Sequence, residues 1–216
     1  MRVFNILDDS LLSESFDHKG VTAQVIKRIQ FYVLAAETMG ADVAMCSCTT
    51  VGEATRIARS YASIPVFNID EPMAYKAVRM GRRIGIVATL ATSPIATQRQ
   101  LERAAQEAGV SIKIKIAVNP TAFDHLQKGK IGLHNQLVYR EMDRIASEVD
   151  VLVLGQVSLA QIEHKISVPV LQVGDSGLAE ARLLLDSKRR HRNHKSTFAH
   201  RAIAGSFSAP ISCCGP

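Results

Sequence analysis

Seven short apolar runs, separated by stretches with helical patterning, constrain this chain more than any other feature. They are Arg2–Leu7, Val43–Ser47, Ile64–Ile69, Arg83–Ala88, Ser111–Val118, Val151–Leu154 and Val168–Val173. Runs of this length, rich in Val and Ile and closed by polar turns, read as buried strands. Strands that alternate with helices predict an α/β fold, a parallel sheet with helices on both faces and right-handed crossovers.

The helices have signals of their own. Val25, Ile29, Val33, Leu34 and Ala36 recur at helical spacing after Thr22, and Gly40 stops that helix. Asp70 with Pro72, and Ser93 with Pro94, mark two helix starts. Ser111–Val118 alternates Ile112, Ile114 and Ile116 with Lys113 and Lys115, which predicts an edge strand with one wet face. A helical region from Thr121 to Glu148 is broken near Gly129 to Gly132. A short helix is expected over Ser158–Lys165, and a final one from Asp175 or Ser176 to Asp186.

Several function classes are disfavoured by composition. The chain has 216 residues, 47% hydrophobic and 21% charged, an ordinary globular balance. No apolar run nears the roughly 18 residues of a membrane span. Arg2–Leu7 turns polar too soon for a signal peptide, so a cytoplasmic protein with no membrane partner is expected. Cys46, Cys48, Cys213 and Cys214 form no disulfide framework, and His18 and His125, the histidines nearest the cysteine pair, show no metal-ligand spacing. The net charge of +6 comes from Lys188, Arg189, Arg190, Arg192, Lys195 and Arg201. No nucleic-acid motif accompanies these residues, so 187–216 reads as a disordered basic extension rather than a nucleic-acid anchor.

The chain also repeats itself. Asp42–Thr50 can be laid over Asp150–Ser158, Ile64–Asp70 over Val168–Asp175, and Val3–Asp9 over Ile84–Leu90. Two pseudo-symmetric lobes with a cleft between them are expected. The first spans 1–81 and is completed by the helix at 174–186; the second spans 82–173. Cys48 would then face Gln156 across the cleft, and Asp8 would face Thr89.

Ligands of open α/β sheets bind beyond the carboxyl ends of strands. At one such end Cys46 and Cys48 read either as small buried hydrophobes or as a nucleophile or proton carrier beside Thr49 and Thr50. The hydroxyls and helix N-termini at this cleft favour a small carboxylate as the ligand.

Cys48-Thr49-Thr50-Val51-Gly52, Ile69-Asp70-Glu71-Pro72-Met73-Ala74, Arg83 to Thr92 and Leu154-Gly155-Gln156-Val157-Ser158-Leu159-Ala160 resemble the aspartate/glutamate/hydantoin racemase superfamily. The resemblance covers Arg2 to Leu185. It implies two lobes, a homo-oligomer, no cofactor and proton transfer beside a carboxylate. Family racemases use one cysteine from each lobe. Cys48 matches the first, Thr49 and Thr50 the polar pair after it, Thr89 and Thr92 the hydroxyl loop of the other lobe. Asp8, or Asp9 in a shifted register, matches the family's acidic position. Ser10, Ser93 and Ser158 stand at the same strand ends and complete the candidate substrate-binding set.

The second cysteine position carries Gln156, with Val157 after it. An amide exchanges no proton near neutral pH. Such a chain resembles single-cysteine members of the superfamily. The expected activity is proton transfer on an amino-acid-like or dicarboxylic substrate. Arylmalonate-decarboxylase-like and maleate-isomerase-like chemistry are the alternatives, and a non-catalytic small-acid binder is a reading of another class.

Overall fold

The computed structural model describes residues 2–90, 93–159, 162 and 165–204, with backbone alone for 191–204. The larger sheet is made of β3 (Arg83–Ala88), β4 (Lys113–Val118), β5 (Val151–Leu154) and β6 (Val170–Gln172). All its neighbours are parallel, in the order β4-β3-β5-β6. The smaller sheet pairs β1 (Ala44–Cys46) with β2 (Val66–Asn68), again in parallel. Each sheet belongs to one lobe of the two-lobed α/β fold.

The helices that return the chain are α1 (Ser10–Asp17), α2 (Ala23–Thr38), α3 (Gly52–Arg59), α4 (Glu71–Met80), α5 (Ser93–Glu107), α6 (Pro120–Gln127), α7 (Ile131–Ala146) and α8 (Val173–Ala204). Thr22 caps α2 as the sequence indicates, its Oγ1 accepting the Val25 N–H at 3.1 Å. Pro72 sits in the first turn of α4.

The period-2 pattern of β3 divides the second-lobe core. Ile84 and Ile86, with Val151 and Val153 of β5, pack against Met73 and Ala77 of α4 and Leu101 of α5. On the opposite face Val87, Leu152 and Leu154 pack against Val138, Met142 and Ile145 of α7. Contact there is close: a Cβ on Gly85 would stand 2.5 Å from Leu152 Cδ2 and 3.0 Å from Ile145 Cδ1. The first-lobe core is smaller and holds Val25, Ile29 and Val33 of α2 against Val51, Ala54, Ala58 and Val66.

The structure corrects four sequence expectations. Arg2–Leu7 is not a strand: Val3, Phe4 and Leu7 are 64, 59 and 89% exposed, and no described strand lies beside them. Apolar alternation makes a strand only where a neighbour accepts its backbone. The repeat register also changes. α1 and α2 have 8 and 16 residues, and so do α6 and α7. Residues 2–7 therefore stand in the place of β4, not of β3. The stretch after Gln156 forms a single 3₁₀ turn, Val157–Leu159, in place of a helix from Ser158; residues 160, 161, 163 and 164 lie outside the described residues. Finally, α8 does not stop near Asp186 but runs to Ala204, so 187–204 is helical rather than an unstructured extension. No Gly or Pro falls between Gly177 and Gly205. Lys188 on this helix reaches Asp42 Oδ1 at 3.2 Å. Cys213 and Cys214 lie outside the described residues.

Ser111–Val118 does form the edge strand, and Thr121–Glu148 divides into α6 and α7 as the glycines indicate. Among the described residues no helix is long and apolar enough to cross a membrane.

Asp150 fastens the start of β5 to β3. Its Oδ2 accepts the N–H groups of Arg82 and Arg83 at 2.9 and 2.8 Å, and its Oδ1 accepts the Arg83 guanidinium at 2.9 and 2.6 Å. These bonds, the backbone donor of Arg83 first, hold the carboxyl down at about 2. Because that lies below the ordinary value, the stabilisation is present above about pH 4 and is lost as pH falls toward 2. Asp150→Ala is accordingly expected to lower Tm at pH 7 and to differ little from the parent chain near pH 2, read by thermal melts at both values.

Candidate active site

The order β4-β3-β5-β6 reverses direction between β3 and β5, and ligands of open α/β sheets bind beyond strand ends at such a point. Two sequence-predicted residues meet there. Thr89, one residue past β3 and fully buried, donates its N–H to Gln156 Oε1 at 2.7 Å. The Gln156 Nε2 donates to Thr89 Oγ1 at 3.2 Å. Gln156 is thus held in a fixed pose at the exit of β5. Behind it, a Cβ on Gly155 would stand 2.2 Å from Thr97 Oγ1, so α5 presses directly on that exit.

The first lobe repeats this local architecture with a thiol. Cys48 stands two residues past β1, as Gln156 stands two past β5. A 3₁₀ turn follows each, Thr49–Val51 in one lobe and Val157–Leu159 in the other. Cys48, Thr49 and Thr50 are half-buried, and the Cys48 thiol has no hydrogen-bond partner among the described residues. Cys46 differs. Its Sγ lies 3.6 Å from the Cys48 carbonyl, and burial pushes its thiol pKa up. Both thiols abut the first-lobe core.

Other predicted residues are placed elsewhere. Asp8 does not meet Thr89. Its carboxylate accepts Ser10 Oγ at 2.5 Å, Tyr32 Oη at 2.6 Å and Arg28 Nη1 at 3.0 Å. The Ser10 and Tyr32 hydroxyls in particular hold it below the ordinary carboxylate range. Asp8 and Ser10 thereby form a knot on α1 and α2. The corrected repeat explains this: Asp9 is the counterpart of Asn119, which caps α6 by accepting the Ala122 N–H at 3.1 Å, and Asp8 falls just ahead of α1 rather than at the exit of β3. Ser93 is half-buried at the start of α5, and Ser158 is exposed. Thr92 lies outside the described residues. Among those residues, no cluster of three or more His, Cys, Asp or Glu is placed to hold a metal ion.

A buried polar group beside β1 is not foreseen by sequence reading. Asn68, paired with Cys46 across the sheet, donates Nδ2 to Asp70 Oδ1 at 3.1 Å, and Gln100 of α5 approaches the same oxygen at 3.4 Å. Asn68 and Asp70 are fully buried, and Asn68 Oδ1 and Asp70 Oδ2 have no partner among the described residues. The cluster packs on the first residue of α3, where a Cβ on Gly52 would stand 2.4 Å from Asn68 Nδ2. Asp70 reads in sequence as a helix cap, yet it makes no capping bond. The available signal is Asn68, a polar residue inside the apolar run Ile64–Ile69.

A cavity of about 220 Å³ lies between α3, α4 and α5, beside Gln100, and does not include Cys48. Its arginines are paired with Glu53 and Glu71: Arg56 and Arg59 at 2.5 Å, and Arg103, which shares Glu53 with Arg56, at 2.9 Å.

Together these features define a two-lobed α/β protein whose equivalent strand ends carry a thiol in one lobe and an amide in the other. The chain belongs to the Asp/Glu/hydantoin racemase family, whose model matches residues 11–181. Solved structures agree in fold. A Yersinia pestis protein assigned as an Asp/Glu racemase aligns with a TM-score of 0.60 at 15% identity, over 82% of this chain and 79% of that one. Allantoin racemase from Klebsiella pneumoniae gives 0.56 at 22% identity, over 76% and 66%. A variant of arylmalonate decarboxylase gives 0.50 at 15% identity, over 75% of each chain. No curated protein sequence matches the chain.

Burial raises the Asp70 carboxyl to about 6. A raised carboxyl costs stability as pH climbs from its unfolded value through its folded one. The penalty at pH 8 is bounded by about 3 kcal/mol for a shift from 3.8 to about 6. Relative to the parent chain, Asp70→Asn is expected to gain Tm between pH 5 and pH 8, a change that paired melts at the two values measure.

Proposed function

We propose that the chain is a racemase-family enzyme that moves a proton at the carbon beside the carboxylate of a small acid, with Cys48 as its one proton carrier. The observation that carries this is the exchange of residue type at equivalent strand ends: Cys48 past β1 and Gln156 past β5. A thiol accepts and returns a proton near neutral pH, whereas a carboxamide can only hydrogen-bond. The proposal calls for no cofactor. Thr49 and Thr50 hold the substrate carboxylate, and the Gln156–Thr89 pair stabilises charge that develops on the substrate oxygen.

One thiol serves one face of the substrate carbon. That favours reactions in which a proton is delivered or withdrawn from one side over symmetric inversion by two thiols. Decarboxylation of a malonate-type acid fits this description. There the carbon–carbon bond releases carbon dioxide, its electron pair forms an enolate, and the Cys48 S–H protonates the carbon. The arylmalonate decarboxylase among the structural neighbours makes it the second reading.

The assay is a panel of amino acids, hydantoins, malonates and maleate in deuterated water, with label incorporation and carbon dioxide read together. Cys48→Ala is expected to lower turnover at least about a hundredfold. Cys46→Ala is expected to retain most activity. Undiminished turnover in Cys48→Ala overturns the proposal. Thermal stabilisation by an acid with neither label nor carbon dioxide would instead mark a binding protein.

A further inference from the structure

The two strand-end turns of the candidate site are backed by the same helix. α5 belongs to the second lobe, and Thr97 and Gln100 lie three residues apart on one of its faces. Thr97 is buried against Gly155, where a Cβ would stand 2.2 Å from its Oγ1. Gly155 is the residue between β5 and Gln156. Gln100 reaches the other lobe. Its Nε2 donates to Asp70 Oδ1 at 3.4 Å and would stand 3.7 Å from a Cβ on Gly52. Gly52 closes the turn that begins at Cys48, its N–H bonded to the Thr49 carbonyl.

Beneath the Cys48 turn Gln100 works through two further side chains. Asp70 Oδ1 also accepts Asn68 Nδ2 at 3.1 Å, and Asn68 Nδ2 would stand 2.4 Å from the Gly52 Cβ. A line of polar contacts therefore runs from α5 through Asp70 and Asn68 to the floor of the first-lobe turn. Burial of Asn68 and Asp70 removes solvent as a competing partner, so a bond lost there is costly. The neighbouring pair of Arg103 and Glu53, at 2.9 Å, is partly exposed and holds less. Three residues of helix span about 4.5 Å along the axis and do not stretch. The separation of the two turns is thus fixed by α5.

We propose that Gln100 is a positioning residue for the candidate site: through Asp70 and Asn68 it holds the Cys48 turn in register with the Gln156 turn, which Thr97 holds from the same face of α5. The role rests on the reading of Cys48 as the proton carrier. Gln100 acts on where the thiol stands relative to the amide, not on the substrate. An ionised Asp70 only accepts hydrogen bonds, so the side chain at 100 has to donate one, and shape alone does not suffice.

The test compares three full-length chains: the parent, Gln100→Leu and Gln100→Glu. Leu fills similar space and donates nothing. Glu donates only while it shares a proton with Asp70, which two adjoining carboxyls hold at pH 5 and give up as pH rises. The other ionisable groups near the pair are Cys46 across the sheet, Glu71 tied to Arg59, and Glu53 tied to Arg56 and Arg103. All of them are present in the three chains, so rates are taken relative to the parent at the same pH. Cys48 is labelled with a dipyridyl disulfide at pH 5 and pH 8, the labelled residue being located by peptide fragmentation. Gln100→Leu is expected to label about tenfold faster than the parent at both values, and Gln100→Glu at the parent rate at pH 5 but faster at pH 8. Amide exchange at Gly52 in Gln100→Leu is expected to rise by a similar factor, while Thr89 and Leu159, whose N–H groups bond to Gln156, keep the parent rate. An unchanged labelling rate in Gln100→Leu, or a pH 5 rate in Gln100→Glu as fast as in Gln100→Leu, overturns the proposal. Faster exchange at Thr89 and Leu159 as well as Gly52 marks a general loss of packing and overturns it too. Neither readout needs a substrate, so a silent assay panel bears on the reaction proposed above and not on the hold on the turn.

Discussion

Parallel strands cannot be joined by a tight turn, and the rest of this structure depends on that constraint. Every strand must be followed by a crossover long enough to carry the chain back, and a helix is the usual way to satisfy the backbone on the return. Each helix then needs an apolar face to lay on the sheet. The sheet needs apolar residues on both faces, which is why Ile84 and Ile86 bury against α4 and α5 while Val87 buries against α7. All strand exits fall at one end. A residue placed just past a strand is therefore held by the sheet beneath it, at the end where ligands of such sheets bind. Cys48, Thr89 and Gln156 occupy such positions.

The two lobes share a backbone plan and differ in what it presents. Past β5 the amide of Gln156 is held by two bonds to Thr89, and α5 is packed closely behind it. Past β1 the thiol of Cys48 is unpartnered among the described residues. A fixed amide and a free thiol are different instruments. The first can orient a substrate and stabilise charge without reorganising; the second can give up and recover a proton. In the proposed function such a pair cannot work with its roles reversed, which gives the proposed proton transfer a direction.

The fold class was legible because it depends on pattern: apolar runs too short for helices, Pro and cap residues at Asp70 and Ser93, and glycines between α6 and α7. The strand-end positions of Cys48, Thr89 and Gln156 were legible for the same reason. Arg2–Leu7 reads as a strand because its pattern is that of one, and the sequence of a strand does not reveal whether its partner exists. The register of the repeat inherits that reading. Laying Val3–Asp9 on Ile84–Leu90 brings Asp8 to the cleft, whereas the lengths of α1 and α2 place it just ahead of the α1 cap residue Asp9, where it binds Tyr32 and Arg28. The Asn68–Asp70–Gln100 cluster was illegible for another reason. Its members come from a strand, a helix start and a helix of the other lobe, and only the packing of α5 against α4 brings them together.

A two-stranded sheet of three-residue strands is marginal by itself. The first lobe is held by what reaches it from elsewhere. Gln100 and Arg103 of α5 bond to Asp70 and Glu53, and α8 packs along α4 with Gly177 against Ile69. Glu37 of α2 accepts the N–H groups of Ser63 and Ile64 and so pins the chain entering β2. Among the described residues, none of these contacts adds a strand to the side of β1 opposite β2. The amide half of the site therefore rests on a four-stranded, doubly covered sheet, and the thiol half on the edge of a two-stranded one. Local opening follows buried contact density, so the Cys48 loop separates from its sheet at a lower free-energy cost than the Gln156 loop. In the proposed function, preorganisation therefore rests on the Gln156–Thr89 pair of the second lobe rather than on the Cys48 loop.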